Sequence, residues 1–445
     1  MLKNRALAAA FLCAAGMWFY MNRILVPYQR ADAEAHERPR GNLSDLYPRW
    51  LGSRELLLHH RNPYAPEITR EIQIGYYGRV LDPNRATDPR DKQGFAYPVY
   101  VAFLLAPTLG MPFDWVAIAF KCVLTVVTAA SVLLWLRVVA WRLSASALLI
   151  AMVLALGSFP AMQGFKLQQL SLLVAALIAA SCALLVSGHL FASGALLAVA
   201  TIKPQLVLPV FSVLLLWTIS DWSRRQRFLG GFALAMALLL GASEIVLPGW
   251  FRDFLTATGD YRHYAGGMSL LQVLLSPRWG EVAAAIAIAA VAAVCWRFRK
   301  DEAGTGPFAL MLAVGLTVTV IIIPMFAPYN YLLLLPAILL VARDWRWLWD
   351  DGCLSRAGLL LTGGAVGWPW LAALGLGAAS LILPSAEVQR EWWLPLYTSV
   401  RIPIPPVCLV PLTFLVARTW REHAPGWASR QPGSSDLAQE RGTGR

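Results

Sequence analysis

Residues 5–26 read RALAAAFLCAAGMWFYMNRILV, an apolar run whose one interior charge, Arg23, sits near its end. At about 1.5 Å per residue, a helix of this length crosses the hydrocarbon core of a bilayer. Lys3 precedes the run, Arg5 opens it and no small-residue cleavage site follows it, so it reads as an uncleaved first span and not as a signal peptide. Similar runs recur at 115–136, 144–160, 168–187, 190–203, 205–219, 228–247, 281–297, 307–326, 329–342, 357–382 and 404–417, which makes about twelve spans in all. The expected fold is an all-α, polytopic membrane bundle.

Composition points the same way. Of the 445 residues, 58% are apolar and only 14% charged, and the mean hydropathy is +0.54. Soluble domains carry about 25% charged residues, so soluble enzymes, secreted disulfide scaffolds and disordered chains are excluded. The net charge of +12 does not indicate nucleic acid, because the 38 basic residues are scattered over loops and tails. The six cysteines lie mostly inside apolar runs, with none between Tyr28 and Gln93, and read as small packing residues.

The stretch 95–113 is apolar but short, and Pro98, Pro107 and Pro112 interrupt it. If it lies at the surface without crossing, the basic turns at Arg137/Arg142, Arg224/Arg225/Arg227, Arg297/Arg299/Lys300 and Arg343/Arg346/Arg356 all fall on one side. Tryptophans 135, 141, 217, 222, 296 and 345 flank the same turns, as interfacial aromatics do. Both termini are then cytoplasmic, and residues 27–114 form a long outer loop. This loop is expected to carry two interfacial helices, near 45–60 and at 95–113. Ser44 is the expected N-cap of the first. The end of the chain, 421–445, is rich in Gly, Ser, Pro and charge and reads as a disordered cytoplasmic tail after a transmembrane domain over 1–420.

Ionisable residues inside spans are costly and so mark function by default. Arg23, Lys121 and Glu244 lie near span ends, where snorkelling accounts for them. Lys203 differs, because it stands in Thr201-Ile-Lys-Pro-Gln205 at the outer break between two spans, where an ammonium can meet a phosphate. Gln169 and Gln205, Tyr329 and Asn330, and His263 converge on the same outer face. Asp45 is the best-placed carboxylate, with Glu55 about three turns along the same helix as the second candidate. A helix N-terminus favours the ionised form, so Asp45 is expected to be deprotonated at neutral pH and weakly basic. Metal, nucleotide and nucleophile motifs are missing. His59-His60 has no partner at ligand spacing, and neither a metal nor another cofactor is expected.

In chain order stand Asp45-Leu-Tyr with Gly52 and Glu55-Leu-Leu, then Asn62-Pro-Tyr64 and Phe95-Ala-Tyr-Pro98. Gln169, Lys203-Pro204 and Pro328-Tyr-Asn-Tyr331 follow. The order of these pieces resembles the GT-C superfamily of polyprenyl-phosphate-sugar glycosyltransferases, most closely glycosyltransferase family 87. The chain departs from the family pattern at Gln168, at Val99 and in the absence of a histidine beside Tyr329-Asn330. These departures bear on the sugar and the acceptor more than on the chemistry. The resemblance implies transfer of a hexose, by family tendency mannose, from a polyprenyl-phosphate donor to a glycan or lipid acceptor, with inversion, at the outer face of the plasma (inner) membrane. Asp45 would serve as general base. Lys203 would meet the donor phosphate, with Arg49 and Arg54 assisting and Gln169, Gln205, Glu55, Tyr97, Tyr329, Asn330 and His263 as further substrate contacts. Membrane lipids are the other partners, and nucleic acid is not one. The main rival is a transporter or flippase for a lipid-linked sugar. It would normally place ionisable groups at mid-membrane in two matched halves, and the sequence does not.

Overall fold

A computed structural model describes residues 2–37, 44–265, 267–324, 327–396 and 404–423, and among them there is no β-strand. The chain opens with α1 (Leu2–Phe19), a π-helical segment (Tyr20–Leu25) and α2 (Val26–Ala35), followed by α3 (Tyr47–His59) and α4 (Pro66–Tyr77). Next come α5 (Val101–Leu105) with a 3-10 turn at Ala106–Thr108, α6 (Phe113–Val138), α7 (Ala145–Leu156), α8 (Phe159–Leu167), α9 (Leu170–Val186), α10 (Leu190–Ala200), α11 (Pro204–Ile219) and α12 (Trp222–Val246). After these run α13 (Trp250–Ala265), α14 (Leu270–Leu275), α15 (Pro277–Phe298) and α16 (Gly306–Ile322). A 3-10 segment (Pro328–Leu334) leads into α17 (Leu335–Arg343), α18 (Trp345–Asp350), α19 (Cys353–Ala379), α20 (Ser385–Arg390) and α21 (Ile404–Glu422).

Local sequence sets these boundaries. Proline stands in the first turn of α3, α4, α8, α11, α15, α16 and α17, where its missing N–H costs nothing. Ser144, Ser158 and Thr305 cap α7, α8 and α16 through their side-chain oxygens, and Ser269 closes a capping box with Gln272 on α14. Packing then draws helices together where side chains are smallest. A Cβ on Gly194 of α10 would lie 1.9 Å from the Phe228 carbonyl oxygen, and one on Gly231 of α12 would lie 2.0 Å from that of Phe191. These two helices therefore meet backbone on backbone, as small residues allow in membrane bundles.

Among the described residues, five helical stretches are long and apolar enough to cross a membrane, namely Lys3–Ala35, Phe113–Val138, Trp222–Val246, Pro277–Phe298 and Cys353–Ala379. The pair α7 and α8, bent by 53° at its break, makes a sixth if counted as one span. The remaining expected spans coincide with shorter helices or, for 404–417, with α21, so length and hydropathy do not carry a count of about twelve. The reason is visible in α16, where every residue from Phe308 to Ile321 is buried. A helix wrapped by other helices need not match the lipid thickness.

Several boundaries differ from the sequence reading. The first helix continues through the π-helical segment to Ala35, so the loop expected to start at residue 27 begins later. The N-cap of α3 is Leu46 and not Ser44. Segment 95–113 is not an interfacial helix: its three prolines leave only α5 and the 3-10 turn helical, and Phe95, Tyr97, Val99, Tyr100, Val101, Ala102 and Leu105 are buried in the core. Helices α4, α8, α13 and α14 were not expected, being amphipathic or continuous with neighbouring runs. Helix α21 includes Arg421 and Glu422, and the rest of the expected tail, 424–445, lies outside the described residues.

Arg225, one of the charges that set the expected orientation, also serves as a staple. It is buried on α12 and donates to the carbonyls of Trp217 (2.8 Å), Arg299 (2.8 Å), Lys300 (3.0 Å) and Asp301 (3.1 Å). It thereby joins the ends of α11 and α15, where Ser220 Oγ also donates to the Trp217 and Arg299 carbonyls and Trp217 Nε1 to that of Asp301.

Candidate active site

Three chain breaks converge to build the site: the turn before α3, the α8–α9 junction and the α10–α11 junction. The Asp45 N–H donates to the Leu167 carbonyl at the end of α8 (2.9 Å), which ties the first turn to the second. The Tyr100 hydroxyl donates to the Thr201 carbonyl (3.0 Å), which ties the Tyr97-Pro98 segment to the third. That segment lies close on α3, and a Cβ on Gly52 would fall 2.3 Å from the Phe95 ring. Only glycine permits the approach.

The side chains then connect. Gln169, at the N-cap of α9, donates from Nε2 to Asp45 Oδ2 and accepts at Oε1 from Lys203 Nζ (2.9 Å). This amide orientation satisfies carboxylate and ammonium at once; the reverse would satisfy neither. Lys203 also donates to Ser171 Oγ (2.7 Å), and its Nζ lies 5.4 Å from the Tyr329 ring centre and 5.7 Å from that of Tyr97. The Tyr76 hydroxyl donates to Asp45 Oδ1 (3.3 Å). Arg49 folds back to the Asp45 backbone carbonyl (2.8 Å) and stacks 4.6 Å over the Tyr97 ring, with its Nε buried and without a partner. Asp45 and Lys203 thus face one cavity without pairing directly, because Gln169 stands between them.

The cavity holds about 380 Å³, within the range of ligand pockets. Eight of the expected site residues line it: Asp45, Arg49, Tyr97, Gln169, Lys203, Gln205, Tyr329 and Asn330. Three do not. Arg54 lies over the Trp50 ring (5.5 Å), Glu55 is paired with Arg61 (2.8 Å), and His263 is exposed on α13. The structure adds Asp91, Tyr261 and Arg262 to the lining, with Tyr76 and Ser171 behind it. Tyr76 was legible in principle, since Ile68, Ile72 and Tyr76 repeat every four residues after Pro66 and mark a helix face. Asp91 carried no such signal among the acidic residues of its loop.

Burial dominates the carboxylates. It pushes the Asp45 pKa up from the ordinary aspartate value, opposed by the charges of Arg49 and Lys203 and by the hydrogen bonds from Gln169 and Tyr76. This reverses the expectation of a weakened base at a helix N-terminus, because Asp45 precedes the cap and desolvation outweighs the dipole. Asp91 is also raised by burial, against the Gln93 N–H and Arg49 and reinforced by Asp45. Three basic side chains, Arg49, Lys203 and Arg262, face two carboxylates, so the cavity favours an anion. Among the described residues no group of three or more His, Cys, Asp or Glu is placed to hold a metal ion.

The site is thus a charged cavity walled by the ends of apolar helices. The sequence profile of glycosyltransferase family 87 matches residues 95–324, just over half of the chain, and the chain belongs to that family. It is a membrane glycosyltransferase of the GT-C type. No curated protein and no solved structure matches it. The matched stretch contains Tyr97, Gln169, Lys203 and Gln205, while Asp45, Arg49, Tyr329 and Asn330 reach the same cavity from outside it.

Proposed function

We propose that this glycosyltransferase moves a hexose, mannose, from a polyprenyl-phosphate donor to a glycan or lipid acceptor on the outer face of the plasma (inner) membrane, with inversion, both termini being cytoplasmic. Asp45 takes the proton of the acceptor hydroxyl as its oxygen bonds to the anomeric carbon. The bond from that carbon to the phosphate oxygen breaks, and the phosphate leaves with the electron pair, met by Lys203 and Arg49. The observation that carries this reading is the Asp45–Gln169–Lys203 connection on one cavity wall. The amide holds base and cation apart, so neither is quenched by a direct ion pair.

A lipid-linked donor is supported by an apolar groove of about 380 Å³ between α11, α15 and α16, which shares Leu208 with the polar cavity. A headgroup in the cavity could run its chain out along that groove. A larger apolar groove of about 460 Å³, lined by α7, α17 and α19, shares no lining residue with the cavity. The test is a vesicle assay with polyprenyl-phosphate-[³H]mannose. Label appearing in a second molecule supports the proposal; donor that only changes leaflets, or that is ignored in favour of another hexose, contradicts it.

A further inference from the structure

A second polar cavity, of about 410 Å³, lies beside the first and shares Gly94 and Ala96 with it. Helix α13 forms the partition. Phe254, Thr258 and Tyr261, spaced four and three residues apart, face the cavity of Asp45, whereas Asp253, Ala257, Asp260 and Tyr264 face the other. The other walls come from the Asn62–Thr69 stretch and from Lys92 to Ala96.

The two cavities differ in charge. The first has an excess of basic groups, whereas the second has Asp253 and Asp260 against the single Lys92. A phosphate is therefore favoured in the first and disfavoured in the second. What the second offers is suited to a neutral polyol: carboxylate oxygens to accept from hydroxyls, the Lys92 ammonium to donate, and the Tyr264 ring as an apolar platform for a sugar face. Asp253 is held in place by Asn62 Nδ2 at 2.8 Å. The shared wall is low, since Gly94 has no side chain and Ala96 only a methyl group. A chain of sugars could therefore cross it with its terminal hydroxyl at Asp45.

We infer that this second cavity is a glycan subsite, which binds the sugar unit behind the reacting hydroxyl, and that the acceptor is an oligosaccharide or carries one. The inference rests on the proposed transferase reaction, and the test separates the two. Saturation-transfer difference NMR on the full chain in detergent would use a panel of hexose and pentose disaccharides beside their monosaccharides. At least one disaccharide should bind about tenfold or more tighter than its monosaccharide, as one or two added hydrogen bonds and a stacked ring allow. Asp260→Asn and Tyr264→Ala should each remove that advantage and leave monosaccharide binding unmoved, with melting temperature confirming the fold. Equal affinity for mono- and disaccharides, or loss of the advantage in neither variant, overturns the subsite. Failure of mannose transfer in vesicles alongside a preserved disaccharide advantage would overturn the donor assignment and leave the subsite standing.

Discussion

Lys203 gives the most quantitative prediction. Its ammonium has three N–H donors, of which two go to Gln169 Oε1 (2.9 Å) and Ser171 Oγ (2.7 Å), and the residue is only 7% exposed. The third donor and the full charge remain for a ligand, because both protein partners are neutral. Lys203→Gln keeps a polar side chain that can still meet Ser171, so folding should survive. It removes a charge-assisted hydrogen bond worth roughly 1.5–3 kcal/mol, which weakens donor binding about tenfold to a hundredfold. Lys203→Arg keeps the charge but not the compact geometry, and should fall between the two. The assay is equilibrium binding of labelled polyprenyl phosphate to purified protein, with melting temperature as the folding control. Donor affinity unchanged in Lys203→Gln would mean that the ammonium only bridges helices, and the phosphate assignment would fail.

Other outcomes follow from the same geometry. Because burial raises Asp45 and activity needs its ionised form, the acid limb of the rate profile should lie above the ordinary carboxylate range, with turnover lost as pH falls through it. Arg49→Gln and Gln169→Leu each remove a group that lowers this pKa, so both should move the limb to higher pH; a limb that stays put or moves down refutes the assignment. Arg225→Lys cannot reach all four carbonyls at once, but Ser220 Oγ still donates to those of Trp217 and Arg299 and Trp217 Nε1 to that of Asp301, so the total cost should be about 1–3 kcal/mol, read as a lower melting temperature with activity per folded molecule retained. Gly194→Val places methyl groups into the Phe228 backbone and should abolish the folded yield from membranes, whereas Gly230→Val, beside open space, should not.

How far the sequence reached depended on the kind of signal. Apolar runs placed the helices, because lipid and protein interiors both reward them, but they could not say which runs face lipid. Helix α16 and the lipid-length α12 read alike in sequence, and only packing distinguishes them. Segment 95–113 read as a surface helix because it is short, broken by three prolines, and leaves the basic turns on one side if it does not cross; it is buried because its residues are apolar. In the site, Lys203 and Asp45 stood out as charges at breaks in apolar sequence. Arg54 and Glu55 share a helix with Arg49 but turn away from the cavity, a distinction of about 100° per residue that needs the helix phase to be known. Asp91 and the two faces of α13 depend on the tertiary folding of the segments between the apolar runs, where no periodic pattern announces which polar residue is turned inward.

Whether Asp45 accepts the proton of the acceptor hydroxyl is read most plainly from single-turnover transfer by Asp45→Asn. The amide fills the same space and can still meet Tyr76, but it cannot take the proton. Turnover should fall at least about a hundredfold, the low end for loss of a general base, with donor binding nearly intact, and Asp45→Glu should restore little. A parallel Asp91→Asn should retain far more activity, since Asp91 is turned toward Gln93. Wild-type turnover by folded Asp45→Asn would mean that another group takes the proton.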